Sequence, residues 1–282
     1  MTKKSFERKP NVAFLKTTKL LFMVTRKHRK VGSETATAEQ YKNSSIIRFG
    51  RLKTYIQEKI LVDYFAIQGN LKMIEGLELY IEENLEVLKK QQKIKVLDVG
   101  PAIGALSTLL ALQSLHKYGL LGKTQVFLND VSANVIDLTQ QGDYTFPESL
   151  VAPRLKGQIN KKLREAKSHI GTAEALPWRE NEFDISLACF LFHHLHDSIK
   201  PTIAHEIVRV TKRGGILGIA EEWFKDYEND YAEKHQDDEI SLAYESILSY
   251  KKLSKMLPQT EVIYTYGINQ KENSYAFCAV KK

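Results

Sequence analysis

Apolar positions along the chain change their period at about residue 93. Between Leu52 and Gln92 they recur near helical spacing, at Met73, Ile74, Leu77, Leu79, Tyr80, Ile81, Leu85 and Leu88. Lys89 and Lys90 come next, where a helix C-terminus favours cations. This predicts a helix packed against the remainder of the chain. From Ile94 the pattern becomes short apolar runs separated by helix-length segments, which is how parallel strands with crossover helices read. The runs are Lys95–Val99, Gln125–Asn129, His169–Gly171, Asp184–Cys189 and Ile216–Ala220. Between the first two, Ala105–Tyr118 carries Leu106, Leu109, Leu110, Leu112 and Leu115, a buried helix ended by Gly119. Glu261–Tyr266 and Tyr275–Val280 alternate apolar and polar residues around a polar loop and read as an antiparallel hairpin. Five alternating strands closed by a hairpin imply a seven-stranded α/β sheet with one reversed strand.

Residues 1–92 therefore form a basic arm and helical region, and residues 93–282 an α/β domain. The apolar share of 43% is enough for a buried core. The net charge of +7 is unevenly spread: residues 1–53 hold 14 Lys/Arg against 3 Asp/Glu. Such an arm suits an anionic partner or a solvated basic face. The apolar patch Val12–Val24 is interrupted by Lys16 and Lys19, so it reads as an amphipathic helix and not as a membrane span. Cys189 and Cys278 stand far apart without metal-ligand spacing, which suggests neither zinc nor a disulfide framework and fits a reducing, cytoplasmic compartment.

The most informative local string is Val96-Leu97-Asp98-Val99-Gly100-Pro101-Ala102-Ile103-Gly104, a buried strand turning sharply into a helix. At such a turn a ligand approaches main-chain N–H groups without a Cβ in the way. Ala102 stands at the second glycine of a dinucleotide fingerprint, and no phosphate-cradling lysine comes after it. A ligand with a cationic amino-acid end fits this turn better than a pyrophosphate.

Asp98, Gly100 and Gly104 resemble the D-x-G-x-x-x-G first motif of class I S-adenosylmethionine-dependent methyltransferases. Three further stretches match that family in order and spacing. Val126–Ser132 places Asp130 at a strand end, where a bidentate acceptor suits a ribose diol. Gly171–Trp178 is similar to the G-D-A-E-x-L-P-F of the ubiquinone-biosynthesis type, with Thr172 in place of the acid beside adenine. Phe190–Leu195, and then Arg209–Gly215 with Arg213 in place of a proline, complete the set.

The resemblance implies a Rossmann-like, mostly parallel sheet with an antiparallel C-terminal hairpin, an N-terminal helical lid, and S-adenosyl-L-methionine as cofactor. It assigns cofactor contacts to Asp98, Gly100, Pro101 and Gly104, to Asp130 and Val131, to Thr172, Ala173 and Glu174, and to Cys189 and Phe190. His193, His194 and Glu221 are the candidate catalytic residues, either histidine serving as a base near neutral pH. No metal set is expected, because adjacent histidines on a loop do not make one. Glu221 and Glu222 suit a cationic or amine acceptor, and Trp223, Phe224, Tyr227 and Tyr231 come after them at helical spacing as a pocket lid or as ordinary packing.

The expected acceptor is an amine or hydroxyl of a small natural product, metabolite or modified peptide, with nitrogen slightly favoured. Two alternatives stand beside it: an RNA methyltransferase guided by the basic arm, and a non-catalytic protein that binds the cofactor. The segment from about Ser5 to Arg51 is expected to cover the acceptor pocket, since methyl transfer benefits from a dry site.

Overall fold

The computed structural model describes residues 64–101, 105–141, 152–223, 248–268 and 274–282. Helix α1 (Tyr64–Glu83) and the short α2 (Leu85–Lys90) lead into β1 (Ile94–Val99). Next come α3 (Leu106–Lys117), β2 (Thr124–Asp130), α4 (Ala133–Gln141), α5 (Pro153–Arg164) and β3 (Lys167–Ile170). The second half holds β4 (Phe183–Cys189), α6 (Lys200–Val210), β5 (Thr211–Glu222), α7 (Tyr250–Lys255), β6 (Thr260–Tyr266) and β7 (Ser274–Lys281).

The seven strands form one sheet in the order β3-β2-β1-β4-β5-β7-β6. Pairings from β3 through β5 are parallel, and β7 runs antiparallel to both β5 and β6. This is the sheet with one reversed strand that the hydrophobic pattern implies. Burial follows position. Every residue of β4 is buried, as expected of a strand covered on both faces, while the edge strand β6 alternates half-buried and exposed residues and β3 is largely exposed.

Alternation along β1 sends Ile94 and Val96 into one core, with α1, α3 and α5, and Leu97 and Val99 into the other, with α6 and α7. Asp98 shares the parity of Ile94 and Val96, so it faces the start of α3. Helix α1 packs on β5 and β7 through Met73, Leu77 and Ile81, which are fully buried or nearly so. Its backbone comes close to the sheet: a Cβ on Gly76 would lie 2.7 Å from the Tyr264 ring and 2.8 Å from Cys278 Sγ.

The helix beginning at Tyr64 is thus a layer of the sheet domain, although its sequence lies within the arm and helical region of residues 1–92. The proposed cover, Ser5–Arg51, lies outside the described residues, as do Gly104, Phe224, Tyr227 and Tyr231. Among the described residues no helix is long and apolar enough to cross a membrane.

Candidate functional site

In an open parallel sheet, ligands bind beyond the C-terminal strand ends where the strand order reverses. Here that point lies between β1 and β4. The loops after both strands meet there. Gly100 has a left-handed φ of +66°, and a Cβ on it would come within 2.7 Å of Leu191 Cδ1. Its N–H donates to Asn129 O at 2.8 Å, which fastens the turn to the end of β2. Ala105 (φ +43°) and Phe190 (φ +56°) are non-glycine residues in the left-handed region, on the loops after β1 and β4. Each such residue costs about 1–2 kcal/mol, and strain of this kind concentrates at ligand sites.

Asp98 is fully buried at the end of β1. Its Oδ2 accepts from Ser107 Oγ at 2.5 Å and Thr108 Oγ1 at 2.6 Å, both in the first turn of α3. Oδ1, equally buried, has no hydrogen-bond partner among the described residues. Burial pushes the carboxyl up to about 6 despite the two hydroxyl donors. A buried carboxylate with one oxygen held and one open is a receptor for a cation or an N–H donor.

Asp130, at the end of β2, accepts the Ser132 N–H on Oδ1 at 2.8 Å and so fixes its own turn. Burial, and the nearby Asp98 charge, raise it to about 6 as well. Asn129 supports this strand end. Its Nδ2 donates to Gly171 O at 3.1 Å and lies 3.0 Å from His169 Nδ1, while the Gly171 N–H reaches Asp130 O at 2.9 Å. The ends of β2 and β3 are therefore tied by both side-chain and main-chain hydrogen bonds.

Thr172 is exposed beside them, ahead of the one-turn helix Ala173–Ala175, in which Ala173 is buried and Glu174 exposed. Helix α6 anchors this stretch. Glu206 Oε2 accepts the Leu176 N–H at 2.9 Å, and Arg209 donates to Leu176 O and Trp178 O at 3.0 Å each.

Beyond β4, Cys189 is buried and its thiol is held well above the ordinary range by burial. The Phe190 N–H donates to Ala220 O at 2.7 Å. Glu221, at the end of β5 and 2% exposed, gathers the turn after β4. Its Oε1 accepts from Leu191 N at 2.9 Å and Phe192 N at 2.6 Å, and its Oε2 lies 2.7 Å from His193 Nδ1. The Glu221 carboxylate is thus committed to main-chain N–H groups and to one imidazole. His193 is 3% exposed, and the His194 ring, half-buried, lies 3.8 Å from it between centroids. Glu222 is buried at the next position and Trp223 half-buried. Among the described residues no group of three His, Cys, Asp or Glu is placed to hold a metal ion.

Asp98, Gly100, Pro101, Asp130, Val131, Thr172, Cys189, Phe190, His193, His194 and Glu221 are thereby gathered at one end of the sheet. Sequence reasoning missed Asn129, Ser107 and Thr108. Their signal was a polar side chain at an otherwise apolar strand end, and paired hydroxyls opening an apolar helix.

A family model described as a methyltransferase domain matches residues 97–219, from β1 into β5, spanning the loops that meet at this end of the sheet. Residues 97–219 carry a methyltransferase domain.

The residues at this end of the sheet fit the groups of S-adenosylmethionine. The open, buried Oδ1 of Asp98 would suit an ammonium, the Asp130 carboxylate would suit a vicinal diol, and the missing Cβ of Gly100 leaves room for Leu191 at the turn between them. Solved structures of similar fold include a TehB-like S-adenosylmethionine-dependent methyltransferase from Corynebacterium glutamicum, 12% identical, covering 85% of this chain and 99% of that one at a TM-score of 0.47. An S-adenosylmethionine-dependent methyltransferase from Methanosarcina mazei is 16% identical, covering 70% and 96% at 0.46. One from Aquifex aeolicus is 18% identical, covering 73% and 92% at 0.42. No curated protein matches the chain.

Proposed function

We propose that the methyltransferase acts on a hydroxyl or amine of a small natural product, metabolite or modified peptide, and that the histidine pair after β4 handles the acceptor proton. The observation that carries this reading is the buried contact of Glu221 Oε2 with His193 Nδ1 at 2.7 Å. When bound, S-adenosylmethionine supplies a methyl group already activated on a sulfonium. The protein then has to orient the acceptor, exclude water and accept a proton.

Glu221 holds His193 in place through Nδ1, and the His193 ring lies against the tilted ring of His194, the half-buried member of the pair. His194 is thus the base we favour, and His193 and Glu221 position it. The slight preference for nitrogen rests on anionic charge beside the acceptor.

The test screens amines, guanidines, phenols and a transcribed RNA pool with labelled cofactor. Label on small acceptors supports the reading, and label going chiefly into RNA overturns it. On the acceptor found, His194→Gln should lower kcat by roughly 100-fold or more and remove the limb of the pH profile that reports the base. An unchanged profile excludes His194 from that role.

A further inference from the structure

At the opposite end of the sheet from the cofactor site, a cavity of about 300 Å3 opens where β1 and β2 begin. Lys93, Lys123, Lys162 and Lys167 line it, with Glu165 as the one carboxylate of the lining. Two of these lysines are fixed in place by neutral groups. Lys123 Nζ donates to Lys89 O at 2.6 Å and Gln91 O at 3.0 Å, and Lys162 Nζ donates to Thr124 O at 2.8 Å and Gly122 O at 3.3 Å.

Elsewhere lysines meet carboxylates, as in Lys72–Glu75, Lys117–Glu78 and Lys212–Asp184. Carbonyls orient an ammonium without cancelling its charge, so the cavity holds pre-positioned positive charge. The positive surface continues along α5, which carries five Lys/Arg and no Asp or Glu. Leu155, Ile159 and Leu163 bury its inner face, while Arg154, Lys161 and Arg164 are exposed. Lys161 approaches Glu165 at 3.8 Å between exposed side chains, a weak pairing.

We propose that this cavity and the outer face of α5 form a binding site for a phosphate chain, namely the backbone of single-stranded nucleic acid. A single phosphate group would need only the cavity. The cationic face extends about 18 Å along the helix, enough for several consecutive phosphates. Phosphate neutralisation supplies the affinity of such a site, so sequence preference is expected to be weak. The cavity itself lies roughly 20 Å from the strand ends, so a phosphate chain seated in it is a docking partner and distinct from the acceptor.

The experiment measures anisotropy of a fluorescent single-stranded RNA of about 20 nucleotides with the full chain, at about 50 and about 200 mM salt. The triple variant Arg154→Glu, Lys161→Glu, Arg164→Glu is compared with a charge-matched control on α7, Lys251→Glu, Lys252→Glu, Lys255→Glu. Circular dichroism and cofactor affinity report that both remain folded. The α5 variant should bind at least about 10-fold more weakly than the control, and its log–log salt slope should be shallower by about 2. Equal weakening in the two variants assigns the binding to the basic arm or to net charge and overturns the proposal. Binding of tripolyphosphate in the absence of RNA binding also overturns it, because the ligand is then a free oligophosphate.

Discussion

Replacing Asp98 by Asn should stabilise the free protein while weakening its hold on the cofactor. Asp98 is fully buried and titrates near 6 instead of near 3.8. At about 1.4 kcal/mol per tenfold, burial disfavours the ionised form by about 3 kcal/mol relative to the unfolded chain. The raised value sets the direction. Below about pH 4 the carboxyl is neutral in both states and costs nothing; between about 4 and 6 stability falls as the unfolded chain ionises first; above about 6 the full cost applies. Asparagine keeps an oxygen for Ser107 and Thr108 and carries no charge. The variant should match the wild type near pH 4 and exceed it by up to about 3 kcal/mol near pH 8, which for a domain of this size is roughly 6–12 °C in Tm. Cofactor affinity should move the other way, by about 1.5–3 kcal/mol, because a charge-assisted bond to the methionyl ammonium is lost. Thermal unfolding across that pH range, with calorimetric titration of S-adenosylmethionine, measures both. A stability gap that does not change with pH, or a variant that binds as tightly as the wild type, would refute the reasoning.

Gly100→Val should abolish cofactor binding at a folding cost of about 1–3 kcal/mol, since φ is +66° and a Cβ would strike Leu191; calorimetry showing unchanged affinity contradicts this. Asp130→Ala should cost about 1.5–3 kcal/mol of cofactor binding, whereas Asp130→Asn, able to keep the Ser132 N–H bond, should restore thermal stability but not affinity. Recovery of affinity in the asparagine variant would mean that the turn, and not the charge, is what matters. Wild-type affinity for the cofactor should decline as pH falls through about 6, where Asp98 and Asp130 both take up protons; a flat profile down to about pH 5 would exclude ionised carboxylates from the binding.

Much of the sheet was legible because its strands are short apolar runs at regular spacing, and the hairpin because β6 keeps one face wet. Helix α5 went unseen. Only Leu155, Ile159 and Leu163 mark its buried stripe among charges, too thin a pattern to separate from a loop. Strand β5 begins at Thr211, five residues before its apolar run, because Gly214 and Gly215 take up a register shift against β4 that reads locally as a break. The strand-end positions of Asp98, Gly100 and Asp130 were legible because each sits at a fixed offset from an apolar run. The setting of Glu221 could not. A carboxylate at the end of β5 reads as a charge offered to the acceptor, and the donors that engage it come from residues 28 to 30 positions earlier. Helix α1 read as a face awaiting a partner; the partners, β5 and β7, lie more than a hundred residues further on.

The placement of β7 between β5 and β6 makes the order of synthesis matter. Residues Ser274–Lys281 supply a central, buried strand, and Cys278 Sγ reaches back to Met73 O across 205 positions of sequence. Until that strand has emerged, β5 lacks a neighbour, β6 has no sheet to join, and the inner face of α1 has only part of its floor. Closing so long a loop is an entropic cost met late and in one step, so maturation of this domain should be slow and all-or-none. A ribosome-bound chain that has already made every residue of the cofactor site would still lack the strand that consolidates it.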